Sequence, residues 1–178
     1  MNALYNPTED IVRVAAATPE VAVANVNENL KRITAIYDQA CEQDVSLTTF
    51  PELSITGYTI GDLVMQTGLL DQAQDGLVQL AEHTRDKNSA MVVGLPIQVR
   101  NAVYNSAALL ADGEIKGIVP KVNLPTYKEF YEKRWYQRWD NENIMIEIDG
   151  KQVPFGVEQI FKLGRTAVGI EICEDLWV

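Results

Sequence analysis

The sequence predicts a mixed α/β fold, in which one sheet holds both parallel and antiparallel strands and helices cover its outer faces. In the first half, short apolar runs that end in turn residues alternate with segments of helical period. In the second half, strand-like runs flank two Asp-Gly pairs, Asp112-Gly113 and Asp149-Gly150, which suit tight hairpin turns. The chain has 178 residues, 47% of them hydrophobic and 22% charged, enough for one domain with a substantial core and too few for two. Alternating strands and helices call for parallel pairing, and hairpins call for antiparallel pairing. A hairpin-bearing sheet also has a second face to cover, so two such sheets could pack together.

Residues 12–18 read as a buried strand. In 25–43, Val26, Leu30, Ile33, Tyr37 and Ala40 recur at the helical period, which predicts a helix with one apolar face. Residues 45–50 are strand-like and stop at Pro51, which has no N–H for a sheet ladder. A second helix fits 70–85, with Ala73, Leu77, Leu80 and Ala81 on one side. Residues 91–98 form a strand, and 103–111 with 114–119 form a hairpin around Asp112-Gly113. The aromatic and charged stretch 124–139 reads as a loop with a short helix. Residues 144–148 and Val153 flank the Asp149-Gly150 turn, and 166–172 is the last strand. No repeat, linker or low-complexity stretch is present.

Charge narrows the function classes. With 15 basic against 25 acidic residues the formal net charge is −10, so nucleic acid and anionic membrane surfaces are poor partners. No apolar run approaches the roughly 20 residues that span a bilayer. The opening MNALYNPTEDIVRV lacks the basic-then-apolar pattern of a secretory signal. The two cysteines, Cys41 and Cys173, lie far apart with no CxxC or zinc-ligand cluster. Reduced thiols in the cytoplasm, with no metal site, are expected. No GxGxxG or GxxxxGK[ST] loop offers a nucleotide phosphate cradle.

Three reactive groups fall where strands run out: Glu52 after Phe50-Pro51, Lys121 after Ile118-Val119-Pro120, and Cys173 in Glu171-Ile172-Cys173-Glu174-Asp175. In open α/β sheets, reacting groups gather outside the carboxyl ends of strands. A carboxylate, an ammonium and a thiol are the minimum set for splitting an amide through a thioester. The thiol needs a base to take its proton, and the tetrahedral adduct needs a fixed cation or N–H donors. Each residue also has a plain reading: a core cysteine, a solvated loop glutamate, a surface lysine. Against the first, Glu174, Asp175 and Trp177 follow Cys173 at once, so the strand leaves the core where the sulfur sits. Glu52 lies in the apolar, aromatic run Phe50-Pro51-Glu52-Leu53-Ser54-Ile55-Thr56-Gly57-Tyr58, surroundings that suit a general base. Cys41, beside Ala40 on the apolar side of the first helix, reads as structural. His83, the only histidine, is expected to face solvent on the second helix, which argues against a Cys–His dyad.

The runs FPEL-x-x-x-GY, YNSAALLADGEIKGIVPK and GIEICEDLW resemble the nitrilase (carbon–nitrogen hydrolase) superfamily and its Glu-Lys-Cys triad. Within it, PKVNLPTYKEFYEKRWY and EICEDLW resemble the glutaminase domains of bacterial glutamine-dependent NAD⁺ synthetases. The resemblance covers essentially the whole chain from Val12. It implies an α-β-β-α sandwich, with Glu52 as general base, Lys121 as the stabilising cation and Cys173 as nucleophile. It further implies Glu129 as a second glutamate orienting the lysine, with Tyr127, Tyr58 and Glu174 at the bound substrate. The implied substrate is L-glutamine, and the implied recipient of its ammonia is a synthetase domain that uses ATP and Mg to make NAD⁺. A homo-oligomeric full-length enzyme is implied too.

The chain ends five residues after Cys173, so it is expected to be the amino-terminal part of a single glutaminase domain, truncated on its carboxy-terminal side. The rest of that domain and the synthetase domain would be absent. On that expectation the isolated chain lacks useful activity and exposes an unfinished sheet edge. Two other functions stay open: a stand-alone nitrilase-family amidase or carbamoylase, and a catalytically silent scaffold that contributes only an interface.

Overall fold

The apolar stripes of two helices meet one face of a seven-stranded mixed sheet, and that packing places the strand ends where the candidate groups lie. The structure is a computed structural model that describes residues 12–140 and 142–178. The amino-terminal stretch read for a secretory signal lies, through Ile11, outside the described residues.

Strand β1 (Val14–Ala16) leads to α1 (Val26–Glu42), then β2 (Leu47–Thr49), α2 (Thr67–His83) and β3 (Ala90–Val99). Next come β4 (Ala102–Ala111), β5 (Glu114–Pro120), β6 (Ile144–Ile148) and β7 (Lys151–Phe155). The strand order is β1-β2-β3-β4-β5-β7-β6. Pairs β1/β2, β2/β3 and β5/β7 are parallel, and β3/β4, β4/β5 and β6/β7 are antiparallel. A separate antiparallel pair is formed by β8 (Phe161–Leu163) and β9 (Thr166–Val168).

Local chemistry explains the elements. The Asn25 side chain caps α1 by accepting from the Glu28 N–H at 3.2 Å, which satisfies one of the helix's free amides. Val26, Leu30, Ile33, Tyr37 and Ala40 form its buried stripe, as the period predicts. Tyr37 is fully buried and donates its hydroxyl to the Ser89 carbonyl at 2.7 Å, so its one polar atom is matched. Both Asp-Gly turns put two residues in the left-handed region: Asp112 and Gly113 (φ 53° and 76°), and Asp149 and Gly150 (φ 50° and 70°). Such turns twist in the same sense as the strands they join.

Alternation along β3 and β4 divides the core. Met91, Val93, Leu95 and Ile97 join Ala108 and Leu110 on the helical side. Ala90, Val92, Ala107, Leu109 and Ala111 face the other way, with Leu47, against Leu163 and Ile172. The layers are therefore helix, mixed sheet and the small β8–β9 sheet, which are the α, β and β layers of the expected sandwich. Among the described residues no helix is long and apolar enough to cross a membrane.

Two local expectations change, and one unassigned segment takes shape. The last strand covers only Thr166–Val168 and pairs with β8 outside the main sheet, because the two residues between them, with Gly164 left-handed (φ 61°), turn the chain straight back into a local hairpin. Residues 58–65, which carry no element in the sequence reading, wind as 3₁₀ helix around the left-handed Gly61 (φ 53°), a segment too short and irregular for a clear period. His83 is half-exposed rather than simply solvent-facing, with Nε2 2.9 Å from Asp38 Oδ1 and from the Lys87 ammonium.

Candidate active site

Glu52 sits where β2 runs out. Phe50 still bonds to the sheet, donating its N–H to Val92 O at 2.9 Å, and Pro51 then ends the ladder. The chain turns sharply, with Ser54 N–H on Pro51 O and Gly57 N–H on Leu53 O at 3.1 and 2.7 Å. The turn lies directly on β3 at Gly94. Gly94 donates to Ser54 Oγ at 3.2 Å and accepts from Ile55 N–H at 3.0 Å. Leu53 takes a left-handed φ of 53°, a strained conformation held by these bonds.

Lys121 follows the last residue of β5, and its backbone N–H donates to Asn105 O on β4 at 2.8 Å. The lysine is completely buried and its ammonium bridges two carboxylates, Glu52 Oε1 at 2.7 Å and Glu132 Oε1 at 2.8 Å. Burial opposes the ammonium, but the bonds to Glu132 and Glu52 outweigh it and hold the lysine above its ordinary pKa. Glu132 is also buried, and burial pushes its carboxyl upward against the opposing bonds from Lys121 and Tyr58. Tyr58 donates its hydroxyl to Glu132 Oε1 at 2.7 Å. Asn105 Nδ2 donates to Glu52 Oε1 at 2.5 Å. Buried ion pairs add little net stability, because desolvation offsets attraction. A charge cluster this enclosed is better explained by what it positions.

Cys173 opens a 3₁₀ turn (Cys173–Leu176) with a left-handed φ of 51°, which projects the sulfur outward from the buried Ile172. The turn is tied to the lysine strand by Asp175. Its carboxylate accepts the N–H groups of Val122 and Asn123, the latter at 2.7 Å, so the residues just past Lys121 hold those just past Cys173. Tyr127 donates its hydroxyl to the Glu174 carboxylate at 3.0 Å. Burial raises the Cys173 thiol above an ordinary cysteine. The Glu52 and Glu132 charges add to that, and the Lys121 ammonium and the Glu174 N–H oppose it. The sulfur is thus within electrostatic reach of all three charged groups.

Beside the cysteine turn a cleft of about 550 Å³ is lined by residues 122–127, Lys133, Tyr136, Gln137, Arg138, Glu174 and Val178. Glu174 brings its wall to the residue after Cys173, while Glu52, Lys121 and Cys173 themselves lie outside the lining.

Of the residues singled out in the sequence, Glu52 and Lys121 are in contact, Tyr58 reaches the lysine through Glu132, and Tyr127 and Glu174 bond to each other next to Cys173 in the chain. Glu129 is not there: it is exposed and makes no hydrogen bond to Lys121. The second carboxylate on the lysine is Glu132, carried inward by the 3₁₀ turn Glu132–Arg134 and by its N–H bond to Pro125 O at 3.2 Å. Asn105 and Asp175 carry no role of their own in the sequence reading, although they lie inside the motif runs YNSAALL and ICEDLW.

A mixed-sheet α/β protein that gathers a carboxylate, a buried ammonium and a turn-borne thiol belongs to the Glu-Lys-Cys class. Residues 13–178 match the family described as carbon-nitrogen hydrolase, and the chain belongs to that family. It is 38% identical over 171 residues to the glutamine-dependent NAD(+) synthetase of Mycobacterium tuberculosis, covering 94% of this chain and 25% of that protein. A glutamine-dependent NAD(+) synthetase structure from Cytophaga hutchinsonii superposes with a TM-score of 0.87 at 27% identity, over 92% of this chain and 28% of that one. One from Acinetobacter baumannii, in complex with ADP, gives 0.68 at 32% identity, over 91% and 28%. The chain spans about a quarter of the length of the curated relatives it matches.

Proposed function

We propose that this chain carries the glutamine-hydrolysing site of a glutamine-dependent NAD⁺ synthetase. The observation that carries the reading is the fully buried Lys121 ammonium held between Glu52 and Glu132 beside the Cys173 turn. An ammonium has three hydrogens, and two are committed to carboxylates, which leaves one for an oxygen that gains charge. Likeness to synthetases that use glutamine supports the substrate.

On this reading Cys173 Sγ attacks the side-chain amide carbon of glutamine as its proton passes to Glu52. The tetrahedral oxyanion is met by Lys121 and by backbone N–H groups of the cysteine turn. Collapse breaks the C–N bond, Glu52 returns the proton to the departing nitrogen, and ammonia leaves a thioester. Water then adds to the thioester carbon as Glu52 takes its proton, the C–S bond breaks, and Glu52 passes the proton to Cys173 Sγ as glutamate leaves. Tyr127 and Glu174, at the cleft, would meet the amino-acid end of the substrate. The ammonia would pass to a synthetase domain, where ATP and Mg would serve the synthesis of NAD⁺.

The test is alkylation of the native chain with a chloroketone or diazoketone analogue of glutamine, mapped by mass spectrometry. Selective labelling of Cys173, prevented by glutamine, is the expected result. Protection by simple aliphatic amides but not by glutamine would replace the reading with a stand-alone amidase. Equal labelling of Cys173 and Cys41 would remove the assembled site altogether.

A further inference from the structure

Glu52 uses its two oxygens unequally. Both of its donors, Lys121 Nζ at 2.7 Å and Asn105 Nδ2 at 2.5 Å, fall on Oε1. Among the described residues none donates to Oε2, and the side chain keeps 17% exposure on its open side. Asn105 is itself 1% exposed, and its Oδ1 has no hydrogen-bond partner, so this amide is buried at the cost of leaving one acceptor unmatched. An asparagine that served packing alone would be replaced by leucine without that cost. Its backbone carbonyl also accepts the Lys121 N–H at 2.8 Å, so one residue of β4 touches both charged partners.

We infer that Asn105 is a positioning residue that fixes the rotation of the Glu52 carboxylate, anchoring Oε1 and presenting Oε2 to the Cys173 thiol. The inference rests on the role proposed above for Glu52. In the proton transfer, the Sγ–H bond breaks and an O–H bond forms on Oε2, while Oε1 stays bonded to Asn105 and Lys121. Two donors on one oxygen stop the carboxylate flipping, which would otherwise exchange the basic and anchored atoms between turnovers. Lys121 alone could not do this, because its ammonium is a point charge shared with Glu132.

The test is a double-mutant cycle read through the pH dependence of Cys173 alkylation by iodoacetamide, with Cys41 as internal reference. The Glu52 charge holds the thiol up, so Glu52→Gln lowers the midpoint. Asn105→Leu, which keeps the side-chain branching and the backbone bond to Lys121, and the smaller Asn105→Ala should each lower it in the same direction, as the unanchored carboxylate turns away. Neither should move it further once Glu52→Gln is present. An Asn105 effect that persists undiminished in the Glu52→Gln background, or no effect in the native background, overturns the positioning role and leaves Glu52 untouched. A Glu52→Gln midpoint equal to that of the native chain removes the Glu52 reading, and this inference with it.

Discussion

Gly94 and Leu53 approach so closely that a Cβ added to the glycine would lie 2.3 Å from the leucine backbone nitrogen. The same atom would stand 2.8 Å from Pro51 O and 2.9 Å from the Glu52 carbonyl carbon. Real Cβ atoms do not pack that tightly against backbone, so an alanine here must push the Glu52 turn off the sheet.

Gly94→Ala is therefore expected to act on stability and on the site together. Overpacking of this kind costs about 1–3 kcal/mol, read as a lower midpoint of urea unfolding. The Glu52–Lys121 contact is also displaced, so labelling of Cys173 by a glutamine-like chloroketone should slow while Cys41 is unaffected. Native labelling in a destabilised variant would mean that the turn accommodates the methyl without moving Glu52.

A second expectation separates two glutamates three residues apart. Glu132→Ala removes a buried partner of Lys121 and the acceptor of Tyr58, a change that typically costs about 3–5 kcal/mol when a buried charge is left short of its partner. Glu129→Ala, at an exposed position, should fall within about 0.5 kcal/mol of the native chain. Denaturant unfolding of the two variants decides it; equal losses would refute the placement of Glu132 on the lysine.

Those two residues also show how far the chain could be read beforehand. The α1 stripe from Val26 to Ala40 and the two Asp-Gly hairpins were legible, because period and turn chemistry are local properties. Glu52, Lys121 and Cys173 were legible because each follows a strand that stops. Which glutamate of Tyr127 to Glu132 turns inward depends on a single 3₁₀ turn and on the distant Tyr58 hydroxyl, and neither leaves a periodic signal. The same holds for the parallel link of Ile118 to Phe155, made between segments far apart in the chain. Asn105 was hidden for another reason: in sequence it is one polar residue in a strand, and only the pairing of β4 with β3 on one side and β5 on the other brings it to both Glu52 and Lys121.

The resting thiol sets a pH dependence whose sign follows from its neighbours. The thiolate is the reactive form, and Cys173 lies above the ordinary cysteine value, first through burial and then through Glu52 and Glu132. The midpoint for iodoacetamide labelling of Cys173 should thus be higher in the folded chain than in urea. Lys121 opposes the rise, so Lys121→Met should move the folded midpoint higher still. A midpoint that falls in Lys121→Met would show that the ammonium does not reach the sulfur.

Asp175 supplies the last expectation, since the Cys173 turn has few other anchors. Its neighbours Leu176, Trp177 and Val178 are largely exposed, and Cys173 itself belongs to no sheet. The Asp175 carboxylate, bonded to the N–H groups of Val122 and Asn123, therefore decides where the sulfur stands relative to Lys121. Hydrogen bonds to a charged acceptor contribute about 1.5–3 kcal/mol when buried, and less at a half-exposed site such as this one. Asp175→Ala should consequently lower global stability only slightly. Its larger effect should be local: with the turn released, the Cys173 labelling midpoint moves toward that of the unfolded chain and ceases to respond to Lys121→Met. Asp175→Asn, whose side-chain oxygen can still accept the Asn123 N–H, should lie between the native chain and the alanine variant. If Asp175→Ala keeps the full response to Lys121→Met, the turn is held by Ile172 and the Tyr127–Glu174 bond instead, and the strut role of Asp175 fails.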